Sequence, residues 1–379
     1  MLRLGIKSIV IINLLLFGFT APVNAAEPTS LNSKWELEQS EQFSSMSSEL
    51  RESLKDKLVI FVAGFWNEAS TPFLRYFGAA LEAVQEGLQM KAIRFYPKSY
   101  AFKTNVDDLY KLVVDSYEKY HLPIILIGHS KGGLECLHVT LEHPELVLDG
   151  KVERVVLLQA TIHGTPLFAD NPTNWANWFT KNILARFVEG YKSLEPEEAK
   201  KGVEEAFNHF KNYLKELFEQ KSETYHVNWE IVHNSIYHAP TFTEYTGRTL
   251  LTQYCHLWLG DLQDHGKKND GLLRLEDQQY DRIGIVLDEV ESDHSGLALT
   301  YDLDDSEECL SSFSVARGVF SSVGYLCQKV GIPVPISYIV GIGDVVGGLL
   351  GGHSKATQKA YFIALLGHIY PQAPIIHDS

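Results

Sequence analysis

Apolar and polar positions along this chain follow two different periods in turn. Short apolar runs at Lys57–Ala63 (KLVIFVA), Ala92–Tyr96, 123–127 and Val152–Leu158 (VERVVLL) predict strands, the first of them buried. Between them the spacing changes to that of helices. Phe73, Leu74, Phe77, Leu81 and Val84 share one face of a predicted helix, and Val106, Leu109, Tyr110, Val113, Val114 and Tyr117 share one face of the next. Strands alternating with helices predict a mostly parallel sheet covered on both faces, an α/β class. Two more apolar runs, Val227–Val232 and Ile283–Leu287, predict that the sheet resumes later in the chain.

The alternation breaks after Thr165-Pro166. Residues 167–225 carry Trp175, Trp178 and Phe179, then a long amphipathic pattern from Pro196 to Glu219. Its stripe is Val203, Ala206, Phe207, Phe210, Tyr213, Leu214, Leu217 and Phe218. Pro196 suits a first helical position, and Glu197 and Glu198 suit the positive end of the helix dipole. The insertion reads as a helical cap over the sheet edge, with an ordinary packing helix as the alternative.

The chain ends differ in character from the middle. Arg3 and Lys7 precede an apolar run from Ile9 to Phe19, and Val23-Asn24-Ala25 closes on a small residue, so residues 1–25 are expected to be a secretory signal peptide. Residues 26–56 form a polar arm, Ser- and Glu-rich, ending in a short helix. The core is expected over 57–300, and 301–379 is an extension. Within the extension, residues 330–352 are apolar and glycine-rich, with Asp344 as the one charge. That stretch reads either as a membrane- or partner-seeking hairpin or as a closely packed helix pair. Gly352-His353-Ser354-Lys355-Ala356 is expected to place Ser354 at the N-cap of a helix over Ala356–Leu366.

Composition narrows the function classes. The formal net charge is −15, which disfavours nucleic acid as a partner, since binding to phosphates needs a basic face. Contact with a membrane surface would have to rest on apolar area. The oligomeric state is left open. The 4 cysteines, Cys136, Cys255, Cys309 and Cys327, would meet an oxidising compartment after export, with Cys309–Cys327 the preferred pair. No CxxC or His-Cys cluster points to a metal, and no motif calls for a cofactor.

The chemistry centres on Gly128-His129-Ser130-Lys131-Gly132, a GxSxG pentapeptide at the end of an apolar run. Leu134, Leu137, Val139 and Leu141 follow it at helical spacing. A strand, a sharp turn and a helix in that order form a nucleophile elbow. Ser130 would stand at the apex, over a helix N-terminus that favours negative charge.

A serine hydroxyl needs a base, an orienting acid and an oxyanion hole before it attacks a carbonyl. In chain order these would be Ser, then Asp or Glu, then His. His294 lies in the loop after Ile283–Leu287 and is the candidate base, with His353 and His368 as competitors. Asp270 sits in the Asn-Asp-Gly turn at 269–271 and is the candidate acid, with Asp288 as its rival. The oxyanion hole would use the backbone N–H groups of Lys131 and of Phe65, the latter following Ala63-Gly64.

These motifs resemble the bacterial secreted true lipases, the triacylglycerol-lipase branch of the α/β-hydrolases. The resemblance spans about residues 57–300. It rests on Gly-His-Ser-x-Gly-Gly at 128–133, Ile-His-Gly-Thr-Pro-Leu-Phe-Ala-Asp at 162–170, Asn-Asp-Gly-Leu at 269–272 and Asp-His at 293–294. It implies an α/β-hydrolase fold, with Ser130, Asp270 and His294 as nucleophile, acid and base, Phe65 and Lys131 as oxyanion hole, and a lipid or other hydrophobic ester as substrate. Three positions depart from the pattern. Ala63-Gly64 stands where those lipases carry His-Gly, and Lys131 stands where they carry Gln or Met. Gly296 stands where they often carry a calcium-binding Asp, so calcium is not expected. Lys131 as a cation beside the nucleophile would either favour an anionic substrate or point to solvent. A phospholipase A or an acyltransferase would use the same residues. A non-catalytic binding protein on the same fold is the third reading.

Overall fold

A computed structural model describes residues 50–64, 74–98, 101–166, 193–218, 222–242, 268–292, 294, 296–301 and 355–370. All of them belong to one compact unit, Ser44–Ser379. The central sheet has six strands in the order β3-β1-β4-β5-β6-β8, every pair parallel. They are β1 (Leu58–Val62), β3 (Lys91–Phe95), β4 (Ile124–His129), β5 (Val152–Leu158), β6 (Ile236–Ala239) and β8 (Ile285–Val286). β1 and β4 are buried at every residue, as strands covered on both faces must be.

Successive side chains of β1 point to opposite faces, and each face meets a different helical layer. Leu58, Ile60 and Val62 join a core with Val106, Leu109 and Val113 of α2 (Lys103–Tyr120) and Leu134 and Leu137 of α3 (Lys131–Glu142). Phe61 turns the other way and meets Phe77 at 4.9 Å and Phe362 at 6.0 Å between ring centroids. Phe77 precedes α1 (Gly78–Glu82), which runs on into a π-helical turn over Ala83–Gly87. Phe362 belongs to α7 (Lys355–Ile369), so the C-terminal segment supplies part of the second layer.

The remaining helices are α4 (Glu145–Leu148), α5 (Pro196–Phe218) and α6 (Ser222–Ser235). α5 matches the expected span almost to the residue. It packs along α3, and Val203, Ala206, Phe207, Phe210 and Leu214 enter the main core. The second half of the 167–225 insertion is therefore a layer of the core. Residues 167–192, with the three aromatic residues expected in a cap, lie outside the described residues.

Two expected elements take another form. The helix expected from Phe73 starts only at Gly78. Leu74–Tyr76 is instead a strand, β2, paired antiparallel with β10 (Leu299–Tyr301), and the Phe77 N–H donates to Ala298 O at 2.6 Å. Phe77 then turns through a left-handed backbone, φ 55°, before the helix begins. The strand expected at Val227–Val232 lies inside α6, with Val232 buried and Val227 and Ile231 exposed. A short β-branched run does not separate strand from helix by itself, and the true strand follows at Ile236–Ala239. β8 covers only Ile285–Val286 of the expected Ile283–Leu287. Two further short strands, β7 (Thr241–Phe242) and β9 (Val290–Glu291), pair parallel beyond the main sheet. Near the chain start, Leu50 and Leu54 are buried in the short helical turn expected before β1.

The expected signal peptide at residues 1–25, most of the expected polar arm, the 330–352 stretch, Ser354 and the three cysteines at 255, 309 and 327 lie outside the described residues. Cys136 is a buried free thiol on α3. No described helix is long and apolar enough to cross a membrane.

Phe362 fills the junction between Phe61 and Phe77, so Phe362→Ala should cost about 3–5 kcal/mol of stability, read as a fall in the urea midpoint with an unchanged slope. A wild-type midpoint would show that α7 does not support the sheet.

Candidate active site

β4 ends at His129, and α3 begins at Lys131. Ser130 between them has φ 55° and ψ −125°, a backbone that L-residues rarely adopt and that costs about 1–3 kcal/mol. Its N–H donates to Leu158 O, and its carbonyl accepts from Gly133 N at 3.0 Å and Leu134 N at 3.3 Å. These bonds pin the turn on both sides.

Close backbone approach explains two of the glycines. A Cβ on Gly132 would lie 2.5 Å from the carbonyl oxygens of both Val62 and Ala63. A Cβ on Gly64 would lie 2.8 Å from Ser130 Cβ and 2.9 Å from His129 O. The loop after β1 therefore passes directly beside the serine, where the sequence reading set the second oxyanion donor. Phe65 itself lies outside the described residues. Lys131 supplies the first N–H of α3, which has no acceptor within its own helix.

The three residues expected to act together are in contact. His294 Nε2 is 2.9 Å from Ser130 Oγ, and His294 Nδ1 is 2.8 Å from Asp270 Oδ2. Asp270 is fully buried. Its other carboxylate oxygen accepts the N–H groups of Leu272 at 2.9 Å and Leu273 at 2.8 Å. The Asn-Asp-Gly turn is closed by Asn269 Oδ1, which accepts the Gly271 N–H. The carboxylate that meets His294 is thus that of Asp270 rather than Asp288. His368 sits on α7, and His353 lies outside the described residues.

The His-Gly-Thr-Pro block has a mechanical part in this site. Thr165 Oγ1 donates to Leu272 O at 2.7 Å, the Thr165 N–H donates to Leu194 O, and the His163 N–H donates to Asp277 O. These bonds tie the segment after β5 to the turn that carries Asp270.

Lys131 corrects one expectation. Its ammonium neither faces solvent nor stands free for an anionic substrate, because the residue is only 1% exposed. Nζ donates to Glu135 Oε1 at 2.5 Å and to Ala101 O at 2.6 Å. Asn105 Nδ2 donates to the same Glu135 oxygen at 2.7 Å and to the carbonyls of Lys98 and Ala101. A buried ion pair thus ties the loop before α2 to the elbow helix.

Sequence reasoning passed over three residues here. His129, inside the pentapeptide, carries no signal of a role of its own in the sequence beyond its position. It is buried, and its Nε2 is 2.7 Å from His294 O and 3.1 Å from Gln159 Oε1. Its Nδ1 is 3.1 Å from the Tyr76 hydroxyl. Burial, then the nearby His294, holds the His129 imidazole far below its usual range, at about 3. The ring is therefore neutral at ordinary pH. Gln159 directly follows β5, with a positive φ of 47°. The available signal was position, since His129 adjoins the nucleophile and Gln159 adjoins the end of the neighbouring strand.

Among the described residues no group of His, Cys, Asp and Glu side chains could hold a metal ion. The elbow on β4, the acid and base loops at the same carboxyl edge of a parallel sheet, and helices on both faces define an α/β-hydrolase fold. No family model matches the chain, and no curated protein matches it. Among solved structures, a metagenomic carboxyl esterase is 15% identical over 82% of this chain and 75% of its own, with a TM-score of 0.47. The mature lipase of Bacillus licheniformis is 18% identical over 63% and 85%, with a TM-score of 0.41. A phospholipase from Legionella pneumophila, in complex with thio-NAD, is 15% identical over 59% and 44%, with a TM-score of 0.37. Likeness at this level leaves the reading of the site to its own geometry.

Removing one member of the buried ion pair leaves the other charge without compensation. Lys131→Met should cost about 3–5 kcal/mol by urea denaturation, and Lys131→Met with Glu135→Leu should recover most of that loss. An unchanged midpoint in the single variant would mean that the pair does not hold the elbow helix.

Proposed function

We propose that the chain is a serine carboxylester hydrolase of lipase type. The observation that carries this reading is the unbroken line of contacts from Asp270 through His294 to Ser130 at a strained elbow. Asp270 accepts the Nδ1–H of His294, which leaves Nε2 unprotonated and facing the serine hydroxyl. His294 takes the hydroxyl proton as Ser130 Oγ forms a bond to the ester carbonyl carbon. The carbonyl oxygen becomes an anion beside the N–H of Lys131, with the N–H of Phe65 as the expected second donor. His294 then gives the proton to the departing alkoxide, and the acyl group stays on Ser130. Water enters and loses a proton to His294 as its oxygen bonds to the acyl carbon; the carbon–Oγ bond then breaks, His294 returns the proton to Ser130 Oγ, and the carboxylic acid leaves.

The resemblance to secreted true lipases supports a hydrophobic ester as substrate. Burying an acyl chain would contribute about 25 cal/mol for each Å² of apolar surface removed from water. With the leader expected at residues 1–25, the reaction would take place outside the cytoplasm, in the periplasm or beyond the cell.

A series of p-nitrophenyl esters from acetate to palmitate tests both parts. Turnover should rise steeply with chain length, and Ser130→Ala should lower it by at least about 10³-fold. Full activity in Ser130→Ala would overturn the mechanism, and a peak at acetate would overturn the lipase reading. With a lipid alcohol present, free acid as the product supports hydrolysis, whereas a new ester would make the chain an acyltransferase.

A further inference from the structure

Four groups link the two sides of the site in one direction. The Gly64 backbone lies against the Tyr76 hydroxyl, so close that a Cβ there would come within 2.7 Å of it. The hydroxyl lies 3.1 Å from His129 Nδ1. His129 Nε2 lies 2.7 Å from the carbonyl oxygen of His294. The tautomer follows from the partners. Nε2 faces two acceptors, the His294 carbonyl and Gln159 Oε1, so it carries the proton. The amide nitrogen of Gln159 is turned to Thr241 Oγ1 at 2.5 Å, and the His294 carbonyl, which can only accept, sets the tautomer by itself. Nδ1 must then accept, and the Tyr76 hydroxyl donates to it. Burial pushes the Tyr76 phenol well above its usual value, so it keeps that proton.

Each bond in this chain strengthens the next, because every donor is also an acceptor and water is excluded. Its two ends are informative. One is the loop after β1, whose Gly64 lies against Ser130. The other is the backbone of the base itself. His294 also donates its own N–H to Asp270 O at 2.9 Å, so its peptide is held from both sides.

We propose that Tyr76 and His129 act as a strut that keeps the base loop and the oxyanion-side loop at a fixed separation across Ser130, and are therefore positioning residues for the reaction. The proposal rests on the reading of Ser130, His294 and Asp270 given above. His129 acts on the base through the His294 carbonyl and through its own ring, whose centroid lies 4.9 Å from that of His294. The strut sets how His294 Nε2 faces Ser130 Oγ while the Gly64 loop is held against the serine. A base misplaced by an ångström lowers turnover without weakening the apolar grip on substrate.

The test compares wild type with Tyr76→Phe, His129→Leu and His129→Gln, using p-nitrophenyl butyrate turnover, melting temperature and fluorophosphonate labelling. His129→Leu should lower kcat by about 100-fold and leave KM within about twofold. His129→Gln keeps an N–H able to reach the His294 carbonyl and should regain about tenfold of that loss. Tyr76→Phe removes one oxygen only and should lower kcat by about tenfold at unchanged KM. Wild-type kcat in either folded His129→Leu or Tyr76→Phe would overturn the strut. So would a His129→Gln variant no faster than His129→Leu. If His129→Leu does not fold, Tyr76→Phe decides alone. Failure of wild type to label at Ser130 would instead remove the reading of the site, and the strut with it.

Discussion

The left-handed backbone of Ser130 is the constraint on which the other features depend. It is unfavourable for a residue with a side chain and persists only where its surroundings leave no alternative. Here the surroundings are the β1 loop on one side and the start of α3 on the other. Gly132 lies so close to the Val62 and Ala63 carbonyls that a methyl group would not fit, and Gly64 lies equally close to Ser130. The parallel pairing of β1 with β4 brings these segments together, since Val62 is in register with Gly128. The buried pair of Lys131 and Glu135 on the elbow helix is then fastened to the neighbouring segment by the Lys131 bond to Ala101 O and the Asn105 bond to Glu135.

Orientation of the base is a separate requirement, met by a different set of contacts. Asp270 holds the ring of His294, while Asp270 O and His129 hold its peptide. The chain just beyond is held by α7. Gln358 donates to Gly296 O at 2.7 Å and to Leu299 O at 2.8 Å, and Thr300 donates to the oxygen of the same amide. β10 continues from there into its pairing with β2, which carries Tyr76. α7 thus supports the loop that carries the base. Lys355 and Lys359 of α7 both meet Glu82 of α1, which adds a polar clasp at the edge of the same layer.

Much of this was legible in the sequence because the local signals agreed with the tertiary outcome. The strands at 58–62 and 124–129 are buried at every residue, and a continuous apolar run is the signature of that state; 152–158 is buried over most of its length, while 91–95, at the sheet edge, is half-buried at best and shows a broken run. The elbow was legible because its glycines are demanded by sterics. Asp270 stood out because the Asn-Asp-Gly turn isolates one carboxylate at a tip. Signals failed where two structures use the same pattern. Val227–Val232 is β-branched yet helical, and its spacing admits either form. Leu74–Tyr76 fits a helical stripe but is drawn into a strand by β10, a partner more than two hundred residues away. The burial of Lys131 could not be read either, because Glu135 one turn later looks like an ordinary surface pair until Asn105 and the 98–101 carbonyls close over it. His129 and Tyr76 met only through the fold.

The central claim is that Ser130 attacks while the first N–H of α3 receives the developing anion. A crystal structure of the chain after reaction with a fluorophosphonate tests it most directly. The account predicts phosphorus bonded to Ser130 Oγ, with the phosphoryl oxygen about 3 Å from the Lys131 backbone nitrogen. Phosphorus bonded to any other residue, or a phosphoryl oxygen turned away from that nitrogen, would contradict it.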